Sequence, residues 1–208
     1  MIYGRRPVPA AGDATDLPRV GRRPATSHAS VEAAAFELFA RNGFEATTIQ
    51  AIADACGIGR RTVFRYFASK DDIPWGRFDD SLGHLRAVLE GTPAQLPLHE
   101  AVHRAVLDFN HLDADAVPQH RARMTLILRT PALQAHSALR YAGWRQVIAD
   151  FVAARLGLAP DAMLPRVVGH VALALALSAY EQWLDDDTAA LPDLLDEAMA
   201  DLRTYLEG

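Results

Sequence analysis

The chain has 208 residues, half of them hydrophobic, which is enough for one ordinary domain with a real core plus a smaller module. A single cysteine, Cys56, excludes an intramolecular disulfide and a CxxC metal site and is typical of a reducing cytoplasm. No apolar stretch reaches the roughly 18 residues that a membrane span needs, so we expect a cytoplasmic protein without membrane contact.

Charge is distributed unevenly along the chain. Residues 1–77 carry 11 Arg or Lys against 8 Asp or Glu, whereas residues 78–208 carry 10 against 18. Because charges further apart than a Debye length of roughly 8 to 10 Å are largely screened, the acidic rear does not prevent the basic front from binding phosphates. The charge pattern therefore permits nucleic-acid binding by the N-terminal part, despite a net charge of -5.

The first 26 residues hold five arginines and four prolines and no apolar segment of a signal peptide. This composition predicts a disordered basic arm, which either reaches into a DNA minor groove or stays solvated. Beyond it, apolar residues recur at three- and four-residue spacing and no alternating run indicates a strand. The sequence therefore predicts an all-α protein.

Three short helices are predicted between residues 27 and 70. The first carries an apolar stripe over residues 31–39. Thr47 or Thr48 caps the second, a glycine-containing turn ends it, and the third runs to about Phe67. Two short helices joined by such a turn, roughly Thr48 to Phe67, are typical of a DNA-binding helix-turn-helix.

The rest of the chain is predicted to be helical as well. Ser69 and Asp72 form a variant capping box that predicts the start of a fourth helix. Prolines then mark the starts of further helices, at roughly residues 98–112, 119–129, 132–156, 161–184 and 193–206. We therefore predict a basic arm (1–26), a helix-turn-helix domain (27–70) and a helical ligand-binding and dimerisation domain (71–208).

The third helix has an outward face that suits a DNA duplex. Arginine bonds bidentately to guanine in the major groove, while hydroxyl groups and lysine suit phosphates. The outward positions are Arg60, Arg61, Thr62, Phe64, Arg65 and Tyr66.

These residues and their neighbours resemble the tetracycline-repressor (TetR) family over residues 22–80. The matching positions are Ala34 to Phe39, Gly43-Phe44, Thr47-Thr48, Ile52-Ala53, Gly57-Ile58, Thr62-Val63-Phe64, Tyr66-Phe67 and Ser69-Lys70. The resemblance implies a repressor that binds palindromic operator half-sites as a dimer. It implies phosphate contacts from Thr48, Thr62, Tyr66 and Lys70, and base-edge contacts from Gln50, Arg60, Arg61 and Arg65.

Two positions depart from the family pattern. Phe64 stands where the family usually has a tyrosine whose hydroxyl meets a phosphate, and Gly59 replaces the usual Ser or Thr cap of the recognition helix. One phosphate contact is therefore in doubt, while the fold is not. Lys70, by contrast, is the only lysine beside 20 arginines and lies where the family has a lysine.

The rear helices resemble TetR regulators associated with the redox peptide mycofactocin, over residues 65–80, 130–156 and 180–184. Such a sensor releases DNA when a ligand binds. Aromatic and aliphatic side chains with a few polar tips suit an acyl chain with a polar head, such as long-chain acyl-CoA, whose anionic groups would meet Arg123 or Arg129. The candidate pocket residues are Phe109, Met124, Trp144, His170 and Tyr180.

The last two predicted helices present more apolar surface than one subunit needs. The stripe runs from Leu191 to Leu206 and along Val167 to Tyr180. Pairing these helices across a twofold axis would bury the excess, so we expect a homodimer, with Leu195 and Leu202 in its interface.

One alternative rests on His99, Glu100 and His103, which match the HExxH pattern of zinc proteases. The further ligand that those enzymes need is missing, since position 109 is Phe and residues 119–129 contain no acid. We therefore expect no metal site, no cofactor and no enzyme. A helical enzyme or metal-binding protein, and a nucleoid-type DNA binder without an effector, stay open as other function classes; a zinc assay and a gel shift separate them.

Overall fold

A computed structural model of the protein describes residues 27–208, and the predicted basic arm lies outside the described residues. The all-α prediction is confirmed. The helices are α1 (His28–Asn42), α2 (Ile49–Cys56), α3 (Arg60–Tyr66), α4 (Phe78–Glu90), α5 (Leu98–Phe109), α6 (Val117–Arg129), α7 (Pro131–Leu156), α8 (Met163–Asp185) and α9 (Leu191–Glu207).

The ends of the first helices are set by local hydrogen bonds. Ser27 and Ser30 cap α1 reciprocally, each hydroxyl accepting the other's backbone N–H at 3.1 and 2.9 Å. Thr48 caps α2 by accepting the N–H of Ala51 at 3.1 Å. Thr47, the alternative cap, is buried instead and donates its hydroxyl proton to the Gly43 carbonyl at 2.8 Å. Thr48 is therefore the cap.

The predicted fourth helix does not begin at Ser69, which is a correction. The Ser69 hydroxyl donates to the Asp72 carboxylate at 2.8 Å, but a short 3-10 turn around Pro74 follows instead of an α-helix. Gly76 then takes a left-handed φ of 55°, and α4 begins only at Phe78. The reason is that Asp72 does not cap a helix, since it pairs with side chains of α7.

The helix-turn-helix module has a hydrophobic core of its own, but this core is not closed within residues 27–70. It includes Ile73 from the 3-10 turn and Leu133 from α7, both with 0% exposure. The N-terminal end of α7 is thus part of the DNA-binding module. A shift of α7 would therefore be transmitted to α1–α3 through direct packing.

The second core lies in the bundle of α4–α9. Helices α7 and α8 pack along each other, α9 covers α8, and α4 packs on α5 and α7. At Gly169 the helices approach so closely that a Cβ would lie 2.8 Å from the Arg145 carbonyl oxygen of α7. Helix α8 is long and apolar enough to cross a membrane, with a mean hydropathy of 1.4, but it packs here as the central helix of the bundle.

More of the apolar stripe of α9 is buried within the subunit than the sequence predicted. Leu191, Leu194 and Leu195 are buried against the bundle, so Leu195 is a core residue and not an interface residue. Only the end of the helix is open, with Tyr205 81% and Leu206 72% exposed. The placement of Leu195 in the dimer interface was therefore wrong, while Leu202 is half-buried and its placement there stays a prediction.

Candidate nucleic-acid interface and cavity

Helix α3 presents one basic, exposed face. Arg60, Arg61 and Arg65 are exposed, and Phe64 between them is 43% exposed. Val63 on the opposite side is fully buried and fixes the helix on α1 and α2. The three guanidinium groups thus lie on one face that no other described element covers.

The flanks of this face carry hydroxyl groups. Thr62 and Tyr66 are half-buried, and the Arg65 guanidinium lies 5.3 Å from the centre of the Tyr66 ring. Thr48 is exposed at the start of α2, where its oxygen accepts a backbone proton and its own proton stays available. Gln50 is exposed and donates to Asp54 at 2.7 Å, a bond within α2 that must open for contact with a base.

Lys70 is placed differently from the sequence expectation. Its ammonium group donates to the carbonyl oxygens of Phe44, Thr47 and Glu45 at 2.8, 3.0 and 3.3 Å, and lies 4.4 Å from the centre of the Phe44 ring. All three N–H donors are used inside the protein. This arrangement favours a role in holding the loop between α1 and α2 over the direct phosphate contact that the resemblance implies, and measurement of DNA binding decides between the two.

A cavity of about 510 Å³ lies in the bundle between α4, α5, α6, α7 and α8. Four of the five predicted pocket residues line it, namely Phe109, Met124, Trp144 and Tyr180. His170 does not: it is exposed on α8, and its assignment is corrected. The reason is helical rotation, because the preceding Gly169 packs on α7 and the next residue turns about 100° away.

One wall of the cavity is a chain of aromatic rings. Trp75 contacts Phe78 and Tyr141 edge to face, with ring centres 5.1 and 5.5 Å apart. Phe78 then contacts Phe109, and Phe109 contacts Trp144, at 6.3 and 6.1 Å. Sequence reasoning missed Trp75, because the 3-10 turn that carries it into the bundle was interpreted as a helix.

Part of the cavity wall carries a chain of hydrogen-bonded polar groups. The Tyr180 hydroxyl donates to Asn110 Oδ1 at 2.7 Å, and Asn110 Nδ2 donates to the Val106 carbonyl at 2.7 Å. His120 Nε2 lies 2.8 Å from the Tyr180 oxygen. Burial, helped by the nearby Arg123 guanidinium, lowers the pKa of His120 to about 4, so the ring is neutral. Since Tyr180 gives its proton to Asn110, Nε2–H of His120 is the donor.

The DNA-binding module contributes to the edge of the cavity. Glu32 of α1 lines it and forms a nearly buried ion pair with Arg123 of α6, whose Nη1 donates to the Pro74 carbonyl at 2.7 Å. A Cβ at Gly76 would lie 3.0 Å from Arg123 Nη1 and 3.1 Å from Glu32 Oε2, so glycine leaves room for the pair. Arg129, the alternative to Arg123, pairs with Asp185 at 2.5 Å and does not line the cavity.

Two of the three HExxH residues have separate partners. His103 Nε2 lies 2.6 Å from Asp196 of α9, and Glu100 pairs with Arg104 at 3.3 Å. Within residues 27–208, no group of three or more His, Cys, Asp or Glu side chains is arranged to hold a metal ion.

Comparison with known proteins identifies both parts of the chain. Residues 33–73 match the family described as bacterial regulatory proteins of the tetR family, and residues 96–207 match the MftR C-terminal domain. A protein assigned to the regulation of mycofactocin biosynthesis, MftR of Mycobacterium tuberculosis, is 46% identical over 180 residues, which is 86% of this chain and 91% of that protein. The HTH-type transcriptional regulator TcmR of Streptomyces glaucescens is 34% identical over 83% of this chain and 80% of its own.

Solved structures agree on the fold. Thermus thermophilus FadR, a TetR-family repressor in complex with lauroyl-CoA, superimposes with a TM-score of 0.56 at 21% identity, over 88% of this chain and 94% of its own. A TetR-family regulator from Syntrophomonas wolfei reaches a TM-score of 0.63 at 14% identity, over 87% and 95%. The chain therefore belongs to the TetR family of DNA-binding transcriptional regulators, with a C-terminal domain of the MftR type, and is not an enzyme.

Proposed function

We propose that this regulator is a cytoplasmic repressor that binds a palindromic operator as a homodimer and is released by an acyl-CoA. The observation that carries the proposal is that one cavity is lined both by the aromatic bundle and by Glu32 of the DNA-binding module. A ligand in this cavity touches a residue of the module that binds DNA.

The basic face of α3 supports sequence reading in the major groove. Arg60, Arg61 and Arg65 are exposed together, and each guanidinium suits guanine O6 and N7. Selecting bound sequences from random DNA should yield a palindrome. Arg60→Ala or Arg61→Ala should then weaken operator binding by about 1–3 kcal/mol per half-site and relax specificity. Equal loss of specific and non-specific binding would contradict base reading.

The outer faces of α8 and α9 support a homodimer. Val167 and Val171 on α8 are 45% and 37% exposed, Met163 is 76% exposed, and the end of α9 exposes Tyr205 and Leu206. Exposed apolar residues spaced by four along one helix form a continuous stripe. Pairing across a twofold axis would bury these stripes and present two α3 helices to the two half-sites.

The volume and lining of the cavity support the proposal of an amphiphilic effector. Its volume of about 510 Å³ lies in the range of small-molecule sites, and aromatic and aliphatic side chains dominate its walls. Arg123 at the edge provides a cation for an anionic group. Thermus thermophilus FadR, which shares the fold, was solved with lauroyl-CoA. These features together support an acyl chain inside the bundle and a charged group near Arg123.

The ion pair between Glu32 and Arg123 offers a route from the cavity to DNA. An anionic group that binds Arg123 competes with Glu32, which is 12% exposed and would keep only His28, at 3.6 Å, beside its carboxylate. A buried charge without a partner is unfavourable, so α1 is expected to shift until Glu32 reaches water. Because α1 packs on α2 and α3, the shift changes the spacing of the two recognition helices.

Titration of lauroyl-CoA into a preformed complex with the selected operator tests the effector. Fluorescence anisotropy of labelled DNA should report release by lauroyl-CoA and by longer acyl-CoAs, while free CoA and acetyl-CoA leave the complex intact. Release without dependence on chain length, or no release, would remove the acyl ligand. Operator binding, which is measured before the titration, would still support the function as a DNA-binding regulator.

A further inference from the structure

Two buried polar side-chain atoms in the wall of the cavity form no hydrogen bond of good geometry. Among the described residues, Trp75 Nε1 and the Tyr141 hydroxyl are the buried side-chain polar atoms without a hydrogen bond. Both residues line the cavity, and their rings meet edge to face at 5.5 Å. Trp75 as a whole is 8% exposed. An unpaired buried donor is costly, so each such group needs an explanation, and a bound molecule that accepts its proton is one.

The other polar groups of the cavity do not share this property. Asn110, His120 and Tyr180 form a chain of hydrogen bonds, and Arg123 is bonded to Pro74 and Glu32. Arg77, Ser81 and His111 also line the cavity, but Ser81 and His111 are exposed and Arg77 pairs with Asp80. The buried side-chain polar atoms without a hydrogen bond are therefore those of Trp75 and Tyr141. Trp75 Nε1 can only donate, because an indole nitrogen does not accept. Burial raises the pKa of Tyr141 to about 12, so its hydroxyl also keeps its proton.

We infer that Trp75 Nε1 and the Tyr141 hydroxyl bind the carbonyl oxygen of the effector, and that this carbonyl belongs to a neutral group, an ester, thioester or amide. This inference rests on the proposed acyl effector and names the atom by which the protein recognises it. One carbonyl oxygen has two lone pairs and can accept a hydrogen bond from each of two donors.

The surroundings favour a neutral carbonyl over a free carboxylate. Neither donor carries a charge, and the neighbouring side chains on this wall are aromatic, including Phe78 and Phe109. A carboxylate buried there would lose its hydration without meeting a cation, which costs more than burial of a neutral carbonyl. Of the two arginines that line the cavity, Arg123 is held by Glu32 and Pro74, and Arg77 pairs with Asp80.

A thermodynamic cycle tests the inference by combining substitutions of the two residues with removal of the carbonyl oxygen from the ligand. The ligands are lauroyl-CoA and S-dodecyl-CoA, a thioether with the same chain and no carbonyl oxygen. Wild-type protein should bind lauroyl-CoA at least 10-fold more tightly. Trp75→Phe and Tyr141→Phe, which remove only a donor, should each reduce this preference several-fold and leave S-dodecyl-CoA affinity nearly unchanged. Trp144→Phe, the same change at a second buried tryptophan of the cavity, should affect both ligands alike.

Two further readouts do not depend on the affinity cycle. The ligand-free Tyr141→Phe protein should lose little or no stability, because the lost hydroxyl forms no hydrogen bond of good geometry, although Ser137 lies near it. In NMR spectra, the chain's three tryptophans give three indole signals, and the signal that Trp75→Phe removes should move downfield with lauroyl-CoA only.

The outcomes separate this inference from the proposed function. If both ligands bind equally and both release the operator, the effector proposal stands and the carbonyl site is wrong. The carbonyl site is also wrong if the variants keep the wild-type preference, since water then satisfies the donors. If neither ligand binds, the carbonyl site and the acyl-CoA proposal both fall, while operator binding is unaffected.

Discussion

The ammonium group of Lys70 holds together the loop that precedes α2. It reaches back 23 to 26 positions along the chain to three backbone carbonyls, at 2.8 to 3.3 Å. These carbonyls lie between α1 and the Thr48 cap, and that of Phe44 also accepts the Thr47 N–H at 3.2 Å. The only lysine of the chain thus connects the end of the recognition unit to its beginning.

Replacing Lys70 with Met should therefore lower the stability of the folded protein. We expect the free energy of unfolding to fall by about 1–3 kcal/mol, because carbonyl oxygens lose their donor. Operator binding should weaken with an unchanged slope against salt concentration. Arg61→Met, which removes an exposed cation of α3, is the matched control and should preserve stability. A stable Lys70→Met protein whose salt slope falls by about one unit would instead identify a phosphate contact.

His120 makes stability depend on pH. Its pKa is about 4 in the folded protein against an ordinary 6.5, so the unfolded chain binds more protons between these values. Stability is therefore complete above pH 6.5 and falls as the pH drops towards 4, by about 2 kcal/mol at pH 5. Denaturant titrations at pH 7 and pH 5 measure the difference.

His120→Gln, which keeps an N–H donor for Tyr180, should remove most of this loss. His99→Gln, a change at an exposed histidine of α5, should keep it. An equal loss of stability in wild type and His120→Gln would show that other groups cause the pH dependence.

At the scale of helices, α1 and α6 are joined by one ion pair at the edge of the cavity. Glu32→Gln weakens this pair and leaves the Arg123 bond to Pro74 in place. Because Glu32 no longer competes for the guanidinium, acyl-CoA should bind up to 10-fold more tightly. Release of the operator should become weaker, from about 100-fold to below 10-fold, since α1 no longer carries a charge that must move.

The matched control for this prediction is Glu37→Gln on the same helix. Glu37 pairs only with Arg41, in an exposed ion pair of 3.4 Å one turn away. Such pairs contribute little, so ligand affinity and operator release should both stay at wild-type values. Release at the wild-type level in Glu32→Gln would show that the ion pair does not couple the two sites.

Elements with strong local signals were predictable from the sequence. The glycine turn at Gly57 and the proline at position 131 mark helix ends that the structure confirms. The 3-10 turn around Pro74 was not predictable. The Asp72 carboxylate does not cap a helix, because it pairs with His136 and Arg140 of α7, which lie 64 and 68 positions away in the chain. Local patterns carry no information about partners at that distance.

The residues of the candidate site were also predictable only in part. The exposed arginines of α3 and four pocket residues follow from helical spacing and residue type. The inward or outward direction of a residue on α8 does not, because this helix is apolar on several sides, and His170 was therefore misplaced. Trp75, Glu32 and Arg123 meet only because the helix-turn-helix module docks on the bundle.

At the scale of the whole molecule, dimerisation decides whether two recognition helices reach two half-sites. Val171→Asp combined with Tyr205→Asp places charges on the exposed faces of α8 and α9 and should give a folded monomer with poor operator binding. Leu139→Asp is the matched control, since Leu139 is 74% exposed on α7 beside Asp72 and Phe78, away from these faces. Light scattering distinguishes the states. A monomeric wild-type protein, or a dimer that persists in the double variant, would contradict this interface.

The central claim is that the cavity and the DNA-binding face are energetically coupled. Its most direct test measures operator affinity with and without saturating lauroyl-CoA, and lauroyl-CoA affinity with and without operator. Thermodynamic linkage requires the same factor in both directions. We expect a reciprocal weakening of about 100-fold, equivalent to about 2.7 kcal/mol of coupling free energy. Two affinities that are independent of each other would contradict the claim.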